Sequence, residues 1–208
     1  CPEKLGDAAR FYSMYDRTMI ELQKEFIEKF WNHYNPYTKL CYKDDPVFVL
    51  TEITNENHLF MNYDGSNRFL VKSDYYEGEF RGFFRDWLKE KGIDYDWEHC
   101  DLFSPDEPMI RFKLDKMQDY YRQLRDHMRA LGVKIPIAGS NWAPHVSACV
   151  KTEEDMDFVD GHHYYYDWKW GNTERVCANR SITSAPFVFP NMARMKLPGK
   201  PFFISEWD

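Results

Sequence analysis

One stretch of the chain constrains its fold more than any other: an apolar, β-branched run that ends in polar residues. The run covers residues 47–53, and Asn55 and Glu56 follow shortly after it. An apolar run of this length predicts a buried strand, and polar residues at its far end indicate that the strand opens into a site. Residues 201–205, followed by Glu206, repeat the arrangement. Two buried strands that each end in a carboxylate are typical of a barrel whose site needs a carboxylate pair.

Hydrophobic periodicity predicts an alternation of helices and strands with no domain boundary. The predicted elements are helices over Ala8–Trp31, Tyr75–Lys91, Asp115–Leu131 and Ala148–Met156, strands over 47–53, Val133–Ala138, Asp157–His162 and Pro201–Ser205, and a loop over Ile93–Arg111. Helical crossovers join parallel strands, so we expect the four strand ends to share one rim. Residues 57–113 are too long for an ordinary connection, and we interpret them as an insertion over the site.

Composition narrows the possible partners. The net charge of -7 argues against nucleic acid, because phosphate binding needs a basic face. No apolar run approaches the roughly 20 residues that span a bilayer, so no membrane partner is expected. Five cysteines at irregular spacing predict neither a zinc site nor a disulfide framework. Aromatic residues make up 18% of the chain, which fits either a bulky core or a groove lined with flat rings that pack against sugars.

The two strand-end glutamates are the candidate catalytic residues. Glycoside hydrolysis needs one carboxyl group to protonate the leaving oxygen and, in retaining enzymes, a second to attack the anomeric carbon about 5 to 5.5 Å away. We expect Glu56 to be the acid/base and Glu206 the nucleophile. Asn55 can donate its amide to a substrate hydroxyl. Glu52 shares the strand parity of Glu56, and we expect it to be held by a structural hydrogen bond or salt link.

Further candidate substrate-binding residues lie at the other strand ends. His162 should face the rim and bind sugar hydroxyls, and Tyr164 could hydrogen-bond the nucleophile. Trp142 and Trp207 are candidate stacking platforms, although a core position is equally compatible with either. His162 and its neighbour His163 point to opposite faces of a strand, and no third ligand has zinc-like spacing, so no metal site is expected.

Taken together, the motifs resemble the clan A retaining glycoside hydrolases, which include cellulases and β-mannanases. The Glu52–Glu56 segment is similar to the E-x-x-N-E of family five mannanases, in which the Asn-Glu pair ends the fourth strand. His162–Tyr164 is similar to the His-x-Tyr of the sixth strand, and Ile204–Trp207 to the I-S-E-W run that carries the nucleophile on the seventh. The resemblance implies a (β/α)₈ TIM barrel that is incomplete here, with approximately strands 4 to 7 and their helices.

The resemblance also implies what surrounds these strands. In the clan, the first three strands and the eighth supply an Arg, a His and a Trp around the same sugar. We therefore expect residues 1–208 to be a partial catalytic domain that is inactive alone, because an open half barrel exposes sheet edges. The expected function is cleavage of β-linked poly- or oligosaccharides by double displacement, without a cofactor. Such a substrate favours an extracellular or periplasmic location.

Two alternatives remain open from the sequence. The chain could belong to a carbohydrate-binding relative that uses an aromatic groove without turnover, although the paired glutamates speak against this. It could also be a metal-dependent hydrolase that uses His162, His163 and nearby acids. The sugar, its linkage and the choice between endo and exo action are not specified by the motifs.

Overall fold

The computed structural model describes residues 9–60, 69–141, 147–163 and 188–207. The helices are α1 Ala9–Tyr12, α2 Arg17–Trp31, α3 Asp74–Lys91, α4 Glu107–Ala130, α5 Ser147–Lys151 and α6 Val188–Arg194. The strands are β1 Tyr34–Asn35, β2 Leu40–Cys41, β3 Thr51–Thr54, β4 Ile137–Ser140, β5 Val159–His163 and β6 Phe202–Trp207. None of the helices in these ranges is long and apolar enough to cross a membrane.

The four longer strands pair in parallel, as the sequence predicts. β3 pairs with β4, with Thr51 opposite Ile137, and β5 pairs with β6, with Val159 opposite Phe202. The start of β5 adjoins the start of β4, because the Asp157 N–H donates to the Ile137 carbonyl at 3.0 Å. The strands therefore follow one another in chain order. Within the described residues they form two small parallel pairs and do not close into a barrel.

Helices α3 and α4 form much of the hydrophobic core. Phe80, Phe84 and Phe112 are fully buried, and the ring of Phe112 lies 5.2 Å from that of Phe80 and 5.0 Å from that of Phe84. Burial of each such ring contributes roughly 1.5–3 kcal/mol. Acidic residues in the first turn of α3 favour its start, and Gly92 ends it in the left-handed conformation at φ 67°. The predicted helix over Tyr75–Lys91 is confirmed.

The first predicted helix, over Ala8–Trp31, is wrong as a single element. The chain leaves the helical path after α1, and Asp16 caps a new helix by accepting the Met19 N–H at 2.7 Å. An Asp at this position competes with helix continuation because its side chain satisfies a free N–H of the next helix. Apolar residues of this segment are also not all buried, since Leu22 is 58% and Phe26 66% exposed.

Four other predicted elements are displaced. The predicted loop over Ile93–Arg111 is too long, because α4 begins at Glu107 and has Pro108 in its first turn, where proline is well tolerated. The strand predicted over 47–53 is shifted to β3, and Val47 and Val49 are 71% and 70% exposed.

The remaining displacements affect strand ends. The strand predicted over Val133–Ala138 begins only at Ile137, after Pro136, and β6 extends through Glu206, which the sequence placed beyond its strand. A proline cannot donate to a sheet ladder, and this favours the later start of β4.

Gly139 is required in β4 because the side chains of Tyr121 and Glu153 lie directly against its backbone. A Cβ atom at this position would lie 2.5 Å from Tyr121 Cε2 and 2.7 Å from Glu153 Oε1. We expect Gly139→Ala to lower the free energy of unfolding by about 1–3 kcal/mol, as overpacked core sites do. Urea unfolding measures the change.

Gly78 provides the matched control. It lies inside α3, and a Cβ atom added there would meet no atom within 4 Å, so Gly78→Ala should raise stability by about 0.5–1 kcal/mol. A Gly139→Ala protein as stable as wild type would contradict the close packing of β4 against α4.

Candidate active site

Four strand ends bring their polar side chains together at one edge. Glu56 follows β3 and Asn141 follows β4, while His162 and Glu206 lie near the ends of β5 and β6. The β5–β6 register places His162 opposite Glu206, just beyond an irregularity at Gly161. Parallel pairing thus collects residues that are far apart in the chain, as expected when strand carboxyl ends share an edge.

Glu56, His162 and Glu206 form what we call the Glu–His–Glu cluster. His162 Nδ1 lies 2.9 Å from Glu56 Oε1, and His162 Nε2 lies 3.1 Å from Glu206 Oε1. One ring nitrogen of His162 and one carboxylate oxygen from each glutamate all lie within 4.8 Å of one another, so the two carboxylates are close neighbours. The His162 side chain is only 5% exposed, whereas those of Glu56 and Glu206 are 34% and 44% exposed.

His162 faces a carboxylate on each side of its ring. A neutral imidazole carries one N–H, so it can donate to only one of the two carboxylates.

Asn141 organises the end of β3. It is fully buried, and its Oδ1 accepts the Glu56 N–H at 2.9 Å. Its Nδ2 donates to Glu52 Oε2 at 2.8 Å and to Asn55 Oδ1 at 2.7 Å. The expected hydrogen-bonded role of Glu52 is therefore confirmed, and Asn55 is exposed beside the cluster.

Burial raises the pKa of three further carboxyl groups, those of Glu52, Asp160 and Glu153. Burial raises the pKa of Glu52 to about 7, and the negative charge of Asp160 adds to the effect. Burial likewise raises the pKa of Asp160, despite hydrogen bonds from Ser205 and Gly161 that oppose the shift. Burial raises the pKa of Glu153 to about 8, although both its oxygens accept backbone N–H groups of β4. Desolvation by neighbouring residues is the shared cause.

Two of the predicted site residues, Trp142 and Tyr164, lie outside the described residues. The backbone of Trp207 belongs to β6, opposite His163. The nitrogens of His162 face carboxylates in this structure, and a contact between His162 and sugar hydroxyls stays a prediction.

Sequence reasoning did not single out Asn141, Glu153 or Asp160 as site residues. Asn141 follows a strand just as Asn55 does, and this position was a usable signal. Asp160 lies at an alternate position in an apolar strand, where an inward-facing acid is unusual. Glu153 precedes β5 within a solvated-looking acidic run, and only the fold reveals its burial.

The Glu–His–Glu cluster also has the composition of a metal site. Carboxylate oxygen and imidazole nitrogen bind zinc at about 2.0–2.2 Å, and three such ligand atoms lie a few ångström from one another. The spacing within 4.8 Å is compatible with that geometry. The chemistry of the donor set therefore fits an ion as well as a proton between the carboxylates.

Comparison of the chain with protein-family models, with curated proteins and with solved structures found no match.

Glu52→Gln tests the protonation of the buried carboxyl groups. The unfolded chain releases the Glu52 proton near its ordinary pKa of 4.5, whereas the fold holds it up to about 7. The protonated Glu52 therefore contributes its full stability below its unfolded-state pKa of 4.5, and this contribution is lost as the pH rises through its folded-state pKa of about 7. Gln is neutral at every pH, can accept from Asn141 and can donate to Asp160. We expect the variant to melt above wild type at about pH 8 and close to it at about pH 4.

Thermal unfolding followed by circular dichroism across this range measures the effect. Glu107→Gln is the matched control, because that side chain is 79% exposed on α4 and should leave the pH profile unchanged. An identical decline of melting temperature with pH in wild type and Glu52→Gln would show that Glu52 is ionised in the fold.

Proposed function

We propose that the chain forms part of the active site of a retaining glycoside hydrolase that acts on β-linked poly- or oligosaccharides. The observation that carries this proposal is the approach of Glu56 and Glu206, whose carboxylate oxygens lie within 4.8 Å. The spacing is close to the roughly 5–5.5 Å that separates the carboxyl groups of retaining enzymes, and shorter than the roughly 6.5–9.5 Å of inverting ones.

Each carboxyl group has a distinct role in the proposed reaction. Glu206 attacks the anomeric carbon while Glu56 gives its proton to the leaving oxygen, so the glycosidic bond breaks as the glycosyl–Glu206 ester forms. Glu56 then takes a proton from water, which attacks the same carbon and releases Glu206. Two inversions retain the configuration.

The fold supports the same proposal at a coarser level. β3 to β6 would be four consecutive strands of a (β/α)₈ barrel, with α3 and α4 in the crossover between β3 and β4. Parallel pairing in chain order supports this assignment. Catalytic residues of such barrels lie at the C-terminal ends of strands, where the described cluster also lies.

Replacing either glutamate by the neutral isostere should remove its chemistry. We expect Glu206→Gln and Glu56→Gln each to lower turnover by about 10²–10⁴-fold in the full-length protein. The first variant loses the nucleophile and the second loses the proton donor. Hydrolysis of aryl β-glycosides and of soluble β-linked polysaccharides provides the readout. Glu154→Gln, in the exposed turn before β5, is the control and should keep wild-type turnover.

Azide separates the two roles. Glu56→Ala opens space beside the glycosyl–enzyme, so azide should partly restore activity with an activated aryl glycoside and yield a β-glycosyl azide. Rescue of the Glu206 variant instead, or product of inverted configuration from the wild type, would assign the carboxyl groups differently. A full-length protein that binds oligosaccharide without cleaving any glycoside would favour the carbohydrate-binding alternative.

A metal-dependent hydrolase is the second candidate, because the Glu–His–Glu cluster could also hold an ion. The two candidates differ in their response to chelation. For the glycosidase we expect activity of the full-length protein to be unchanged by EDTA dialysis and by added zinc. Loss of activity on dialysis, with recovery on adding zinc, would replace the double-displacement proposal with metal-assisted hydrolysis.

A further inference from the structure

Nearly all of the hydrogen-bonding capacity of the Asn141 side chain is used. A primary amide offers two N–H donors and one carbonyl acceptor with two lone pairs. Both donors are occupied, by Glu52 at 2.8 Å and Asn55 at 2.7 Å, and the carbonyl accepts the Glu56 N–H at 2.9 Å. The orientation of the amide is fixed by these partners, since the reverse orientation would direct its NH₂ group at the Glu56 N–H.

Glu56 needs such support because its backbone is strained. Its φ of 43° lies in the left-handed region, which non-glycine residues adopt at an energetic cost because Cβ crowds the following carbonyl oxygen. Strain of this kind persists where the surrounding structure holds it, and it is common at active sites. The hydrogen bond from Glu56 N–H to Asn141 is a direct restraint on this backbone.

The position of Asn141 links two strands at the cluster. Asn141 follows β4, and its three partners belong to β3 or to the residues just beyond it. Glu52 lies in β3 opposite Ala138, so the amide extends the β3–β4 pairing beyond the last ladder contact at Ser140. The Glu56 carboxylate then reaches His162 from a backbone fixed against β4.

We propose that Asn141 is a positioning residue that sets the placement of Glu56 as the proton donor. The inference rests on the proposed hydrolase function. The amide of Asn141 holds the end of β3, which carries the acid, whereas Glu206 lies on β6, so its effect should fall on the acid/base and spare the nucleophile. A misplaced acid matters most when the leaving group needs a proton.

A general loss of stability would lower activity equally for every leaving group. A loss that depends on the leaving group therefore tests the positioning role. With Asn141→Ala in the full-length protein, we expect kcat/KM to fall on the order of 100-fold for alkyl or sugar leaving groups. For a dinitrophenyl leaving group, which departs without protonation, we expect a change of less than about threefold.

Tyr120→Phe is the matched control for loss of a buried hydrogen bond. Tyr120 is 1% exposed in α4, and its hydroxyl group bonds Gln23 Oε1 at 2.6 Å, away from the cluster. Any loss of activity in this variant should be equal for both leaving groups. An equal loss for both leaving groups in Asn141→Ala would overturn the positioning role.

Amide exchange tests the same restraint without relying on activity. In Asn141→Ala, hydrogen exchange at the Glu56 N–H, measured by NMR, should accelerate on the order of 10-fold or more, while α4 amides stay protected. Asn141→Asp keeps an acceptor for that N–H but loses the donors to Glu52 and Asn55. It should therefore retain slow exchange at Glu56 and recover part of the activity toward poor leaving groups.

The outcomes separate the inference from the function on which it rests. A wild-type protein inactive on every glycoside would overturn the hydrolase proposal, while the exchange rates would still show whether Asn141 holds Glu56. An active wild type with unchanged Glu56 exchange in Asn141→Ala would overturn the positioning role alone.

Discussion

The arrangement of the strand ends in this structure depends on the contact of one buried imidazole with two carboxylates. His162 lies between Glu56 and Glu206, and these residues are up to 150 positions apart in the chain (206 minus 56). Two carboxylates this close repel each other unless a proton or cation lies between them. The parallel strands must therefore supply enough packing and hydrogen bonding to hold the repelling groups together, and the surrounding polar network can be understood in those terms.

The network works by satisfying buried polar groups on several sides at once. Asp160 accepts the N–H groups of Gly161 and Ser205, and Glu153 accepts those of Gly139 and Ser140. These bonds fasten side chains to strand backbones, so the acids reinforce the sheet that carries the cluster. Their desolvation nevertheless favours the neutral carboxyl groups. The fold should therefore lose stability as the pH rises and these groups ionise.

The sequence predicts the chemistry of the strand ends better than the boundaries of the elements. Glu56 and Glu206 were predicted to meet because each follows an apolar run, and parallel pairing depends on that same pattern. The break at Asp16 was missed because the apolar period continues through it, while a local side-chain bond ends the helix path. Val47 and Val49 show the reverse error: β-branched residues predicted a buried strand, but they are exposed outside β3, since burial depends on neighbours that periodicity cannot identify.

The end of β4 explains why the site could not be derived from strand-end glutamates alone. Gly139 has no side chain, and this lets Tyr121 of α4 and Glu153 approach the strand backbone. Glu153 then holds the amides of Gly139 and Ser140, and the next residue, Asn141, restrains Glu56. Core packing and acid placement are thus connected through three consecutive residues. A change in the helical layer can shift the acid without touching it, because the close-packed interior transmits displacement along β4.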